Sequence, residues 1–179
     1  AKRRDLLGLK AFPVGQSGRK FYSLSIIAPV QLTGVVKPAL IANGASVLNV
    51  SSKDHHSAAF EPSNMQGEHS YSGYDAYVRS KLFNIMFTID SACCVRSNSL
   101  DPEVITTKLI HAGWSLAGDE LPVSGEEVNK TVIEIAKNSW NGEYFENICL
   151  ARFSLVAVAA TARREFTELT GEMLRRFRL

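Results

Sequence analysis

YDAYVRSKLFNIMFTIDS, residues 74–91, reads as a helix that carries a chemical pair on one face. Tyr74, Tyr77, Lys81 and Ile85 form one stripe at helical spacing, with Leu82, Met86 and Ile89 beside it. Positions four apart on a helix share a face, so the Tyr77 hydroxyl and the Lys81 ammonium can point into one pocket. A tyrosine of ordinary pKa, roughly 10, is a poor acid or base at neutral pH. A fixed positive charge nearby favours the phenolate and brings the group toward the working range. Taken alone, the pair also fits an amphipathic helix with an exposed lysine.

The flanking segments tip that balance. Upstream, ASVLNV (45–50) predicts a short buried strand that runs into the paired serines Ser51 and Ser52. Downstream, Cys93 to Leu100 predicts a second strand leading into NSLDPEVITTKL (98–109). A serine at the C-terminal end of a strand can hydrogen-bond a substrate oxygen, and open parallel sheets place their ligands at those ends. Elsewhere, residues 17–42 predict a helix with Phe21, Leu24, Ile27 (or Ile26), Val30, Leu32 and Val35 as its apolar stripe, stopped by Asn43-Gly44. The polar stretch from Ser51 to Gly73 is longer than an ordinary connection and predicts a functional loop or lid. A helix is expected over 124–138, with Ser124 as N-cap and Glu127 three residues on. A last short strand is expected at GEYF (142–145) and a surface helix from Thr161 to Phe177. The alternation is that of a parallel α/β sheet.

Composition bounds the answer without choosing it. The 179 residues, 45% hydrophobic and 21% charged, exclude a disordered, collagen-like or disulfide-stapled chain and allow one domain. A net charge of +2 gives no reason to expect nucleic acid as a partner. Three cysteines leave one unpaired in any scheme, which points to a reducing intracellular compartment. Cys93 and Cys94, as strand neighbours, are expected on opposite faces, neither an easy disulfide nor a ligand pair. His55, His56 and His69 fall in the long loop with no metal-ligand spacing around them. His111 and Trp114 fit a substrate lid or ordinary packing equally well. The best apolar run, Phe153 to Ala162, is half of the roughly 20 residues a transmembrane helix needs. The basic N-terminus is interrupted by Lys10 and Pro13, unlike a signal peptide, and the chain starts with Ala, as a processed protein or a piece would. The arginines of the tail alternate with Glu165, Glu168 and Glu172, as on a solvated helix face.

On ASVLNVSS, YSGYDAYVRSKLFNIMFT, VRSNSLDPEVITTKL and GEYFEN the chain resembles the short-chain dehydrogenase/reductase family. The wide spacing between Ser52 and Tyr77, filled with Asp54-His55-His56 and Gln66-Gly67-Glu68, is similar to the retinol-dehydrogenase-like branch, which also includes WW-domain oxidoreductases. FYSLSIIAPVQLTGVVKPAL and ARREFTELTGEML resemble two of the family's helices, so the likeness covers most of residues 20–175. It implies an α/β, Rossmann-like parallel sheet with flanking helices, N-terminally truncated, as one partial domain over 1–179. It also implies NAD or NADP as cofactor and hydride exchange with a small alcohol or carbonyl, lipophilic ones included. Carried over, Tyr77 is the general acid/base, Lys81 lowers its pKa and holds the nicotinamide ribose, and Ser52 orients the substrate oxygen. Pro102, Val104, Ile105 and Thr107 join Tyr77 and Lys81 in clasping the nicotinamide side. A homo-oligomer is compatible with the family, and membrane association of a full-length form stays open.

The departures from the family are specific. No G-x-x-x-G-x-G or G-x-G-x-x-G pattern precedes residue 45, where the glycines are Gly8, Gly15, Gly18, Gly34 and Gly44. Ser25 stands where the family has an Asn, and Glu103 where it has the Gly after Pro102, adding bulk and negative charge. The helix ending near Ser91 runs into CCVRSNSL with no turn residue. The expectation is a weakly active or inactive chain, or a non-catalytic interaction module with an uncovered parallel-sheet edge.

Overall fold

Helix α3, Gly73–Ser91, is the element against which most of the chain packs. The structure is a computed structural model and describes residues 16–103 and 125–176. Ser72 caps α3 by accepting from the Asp75 amide at 3.4 Å, and Asp75 adds negative charge where the helix dipole favours it. Of the positions foreseen for its packed face, Leu82, Ile85 and Met86 are shut from solvent together with Val78 and Phe83, while Tyr74, Tyr77 and Ile89 are half-buried. Phe83 stacks on Phe166 at 5.1 Å and meets Tyr22 and Phe60 edge-on.

Four strands form one sheet in the order β1 (Ser46–Val50), β2 (Arg96–Asp101), β3 (Tyr144–Glu146), β4 (Cys149–Leu150). β1 and β2 are parallel, from Ser46 opposite Arg96 to Val50 opposite Leu100, and β2 and β3 are parallel as well. The crossovers contain α3 and α4 (Gly125–Lys137), which flank the sheet as a Rossmann-like arrangement requires. The sheet is mixed rather than purely parallel, because β4 returns antiparallel to β3. Asn147 makes that tight return with φ +56°, a left-handed conformation asparagine tolerates. Helices α5 (Leu155–Val158) and α6 (Ala160–Arg176) complete the fold, and α6 is clamped to α3 through Asp90, which accepts from Arg163 at 2.9 Å and Thr167 at 3.0 Å.

Three expectations change. The helix foreseen over 17–42 is α1 (Gln16–Tyr22) and α2 (Ala28–Ala42) joined by a π-helical turn, Ser23–Ile27. That turn shifts the phase of the helix, so Tyr22, Ile26 and Ile27 bury while Leu24, Leu32 and Val35 face outward. By length and composition, Arg19–Ala42 is long and apolar enough to cross a membrane, whereas Phe153 to Ala162 is broken between α5 and α6. Second, β2 starts at Arg96, and Cys93 and Cys94 lie in a turn in which the Ser91 carbonyl accepts from the Cys94 and Val95 amides. Third, the loop after β1 is docked rather than a free lid. His55 is fully buried, its Nδ1 donating to the Ser52 carbonyl at 2.7 Å and its Nε2 accepting from the Ser154 amide at 3.2 Å. Arg79 holds the other end of the loop at the Asn64 carbonyl, 3.0 Å, and the Glu61 carboxylate, 3.2 Å.

Candidate active site

β1 and β2 end side by side, and the chain leaving β1 stays attached where the Ser51 amide donates to the Leu100 carbonyl at 2.7 Å. Ser51 is buried and its hydroxyl donates to the Lys81 carbonyl at 2.9 Å, fixing the strand end against the middle of α3. Ser52 is extended, caps the following 3-10 turn by accepting from the Asp54 amide at 3.2 Å, and lies near enough to Tyr77 for its hydroxyl to act on the phenol. Lys81 donates to the Val50 carbonyl at 3.2 Å and sits 5.4 Å from the centre of the Tyr77 ring. Asn84, one turn further, donates to the same carbonyl at 3.1 Å. Ser52, Tyr77 and Lys81 are therefore together, at the C-terminal end of β1.

Their electrostatics differ from the simple expectation. Burial raises the Tyr77 phenol above its ordinary value; the Ser52 hydroxyl pulls it back, while Asp54, Asp101 and Tyr74 push it further up. Burial lowers Lys81, opposed by Asp101. Lys81 lies toward the ring of Tyr77 and points its proton at Val50, so the ammonium is not spent on the phenol oxygen. The arrangement favours a protonated tyrosine that can donate to an oxygen beside Ser52.

Asp101, which motif reasoning missed, organises the mouth of the site. It is buried at the end of β2, and its two oxygens accept from the Lys53 amide at 2.9 Å and the Glu103 amide at 2.8 Å, tying both strand ends together. The signal was available, since an aspartate immediately before Pro102 at a strand end is a turn former. Glu103 itself adopts φ +60°, a conformation that costs glycine nothing. The resemblance placed a glycine at this position, and the backbone keeps the shape that glycine would give. Pro102 lies beside it; Val104, Ile105, Thr107, His111, Trp114 and Ser124 fall outside the described residues. Ser25 lies within the π-helical turn. Among the described residues no group of His, Cys, Asp or Glu is arranged to hold a metal ion.

For a nicotinamide dinucleotide, the described residues fit the nicotinamide end. Tyr77 and Lys81 are half-buried on one face of α3, beside the C-terminal end of β1. Among the described residues, no glycine-rich turn leads from a strand into a helix to receive the phosphates.

No family model matches the chain. Over 98 residues it is 37% identical to polyprenol dehydrogenase of Mus musculus, an alignment spanning 48% of this chain and 29% of that protein. The fold matches NADPH-bound carbonyl reductase from chicken fatty liver with a TM-score of 0.58 at 18% identity, covering 84% of this chain and 59% of that one. It matches the carbonyl reductase Sniffer of D. melanogaster with a TM-score of 0.52 at 19% identity, covering 78% and 57%. The matched region is thus less than a third of the mouse protein and under three fifths of either reductase. Likeness in sequence to a dehydrogenase over about half of the chain thus accompanies a Rossmann-like fold shared with two carbonyl reductases.

Proposed function

We propose that the chain is the catalytic portion of an NAD(P)-dependent oxidoreductase that interconverts an alcohol and a carbonyl, forming a single partial Rossmann-like domain. The observation that carries this reading is the meeting of Ser52, Tyr77 and Lys81 at the end of β1, the place where open parallel sheets bind ligands. A substrate oxygen seated there accepts from Ser52 and Tyr77. Because burial keeps Tyr77 protonated, it is better suited to give a proton to a carbonyl oxygen than to take one from an alcohol. Lys81 holds the ribose next to the nicotinamide, and Pro102, Val104, Ile105 and Thr107 clasp the ring side. NAD or NADP, when bound, supplies or accepts the hydride. The name of the mouse relative supports a lipophilic substrate, and three free cysteines support a reducing compartment.

By itself the chain is weakly active or inactive. Supporting this are Ser25 in place of the family's Asn, the glutamate held at a glycine-like turn, and the raised phenol of Tyr77. The test has two parts. NADPH titrated into this chain should bind more weakly than about 1 mM, roughly −4 kcal/mol. In an active full-length form, Tyr77→Phe should lower kcat by roughly 10²–10⁴-fold while sparing NADPH binding. Undiminished turnover would remove Tyr77 from the mechanism.

A second reading, a non-catalytic interaction module, draws on two observations: among the described residues β1 ends the sheet with Val50 exposed, and the outer face of α2 is apolar. Turnover by this chain alone, abolished by Tyr77→Phe, would eliminate it.

A further inference from the structure

The turn between α3 and β2 carries chemistry that the site above does not use. Cys93 and Cys94 are both exposed, and their Sγ atoms lie 3.1 Å apart. Cys93 can also donate to the Asp90 carbonyl, 3.1 Å away. Lys37, from the last turns of α2, lines the same cleft as Cys94, near enough for its charge to act on the thiol. Cys94 also lines a cleft of about 320 Å³ walled by Val30, Phe87, Val95, Phe166 and Leu174, with mostly apolar surface. The pair sits just past the C-terminal end of α3, whereas Tyr77 and Lys81 sit in its first half.

The geometry points to a peroxide-sensing dithiol, with Cys94 as the thiol that an organic hydroperoxide oxidises and Cys93 as the thiol that resolves it. Contact with Cys93 and the nearby Lys37 ammonium draw the Cys94 thiol below its ordinary value, while contact with Cys94 holds Cys93 above it. One sulfur is thus the nucleophile and the other keeps its proton. A low-pKa, accessible thiol next to a resolving one is the arrangement that peroxide-sensitive cysteines use. In the first step the Cys94 thiolate attacks the peroxide; a sulfur–oxygen bond forms, the oxygen–oxygen bond breaks, and the alcohol leaves after taking a proton. Sulfur is oxidised by two electrons and the hydroperoxide is reduced by two. In the second step Cys93 attacks the Cys94 sulfenic acid; the sulfur–sulfur bond forms and the displaced hydroxide departs as water with the Cys93 proton. Neighbouring Cα atoms are only about 3.8 Å apart, less than the roughly 4.4 Å at which ordinary disulfides begin. The closed ring is therefore strained and readily reopened by thiols, which makes the modification reversible.

The experiment is intact-mass and peptide-mapping spectrometry of the chain after cumene hydroperoxide, with Cys149 as the internal reference thiol. The expected product in the native protein is a monomer lighter by two hydrogens, mapped to Cys93–Cys94 and restored by dithiothreitol. Cys93→Ser should instead accumulate a sulfenic acid at Cys94 that a dimedone probe captures. Lys37→Met should slow oxidation of Cys94 severalfold without unfolding the protein. Cys94 oxidising no faster than Cys149 would overturn the assignment of the nucleophile. A native product carrying added oxygen, or linked between chains, would overturn the role of Cys93.

Discussion

Helices α2 and α3 are similar in length, 15 and 19 residues, and opposite in fate. α2 is the more apolar, yet none of its residues is buried; α3 buries eight, including Arg79, Ser80 and Thr88. What separates them is the number of sides on which they have neighbours. α3 has the sheet on one side and the docked loop, α5 and α6 on others, so even its polar groups are enclosed and must find partners. Arg79 finds Asn64 and Glu61, Ser80 bonds the Tyr77 carbonyl at 2.7 Å, and Thr88 bonds the Asn84 carbonyl at 2.8 Å. Apolar content alone does not bury a helix.

Substitutions that probe this contrast should have very unequal effects. Phe83→Ala, in the aromatic stack at the centre of α3, should cost about 3–5 kcal/mol in denaturant unfolding. A loss below about 1 kcal/mol would mean that α3 is not the packing centre. Next in size is a pH effect on the loop docked against α3. His55 is pushed down to about 4 by burial, partly offset by the Ser52 carbonyl. Its folded pKa lies below its unfolded one, so the unfolded chain takes up the proton first and stability rises with pH across this interval. Stability should be full above roughly pH 7 and fall by something on the order of 3 kcal/mol as the pH drops from about 6.5 to about 4. His55→Gln should flatten that slope; an unchanged slope would assign it to other groups. The smallest change belongs to α2. Leu32→Ser with Val35→Ser should alter stability by no more than about 0.5 kcal/mol, because both side chains already face outward. A loss of about 2 kcal/mol would show that face to be covered in solution.

The parts of the fold that were legible in the sequence are those governed by local pattern. The helical period of residues 74–91 and the strand-like run before Ser51 placed Tyr77, Lys81 and Ser52 within reach of one another, because helix pitch and strand direction are local properties. The docking of the long loop was hidden for a different reason. His55 looks like a loop histidine until the Ser154 amide, 99 residues away, reaches its ring, and no window of sequence contains both. The turn at Cys93 and Cys94 was hidden because the Ser91 carbonyl, rather than a glycine or proline, closes it. Asp101 was passed over as one acidic residue among many, since its importance lies in two backbone amides on separate loops.

The π-helical turn at Ser23–Ile27 is geometrically equivalent to one surplus residue lodged in an α-helix. It therefore works as a ratchet stop for everything on its N-terminal side. Removing a single residue there would restore regular winding and swing that side by about 100° about the helix axis. Tyr22, which now bonds Thr170 of α6 at 3.0 Å, would be carried off its partner. A one-residue deletion in this short span, with no change to any buried side chain's identity, would unlatch one end of the protein from the other.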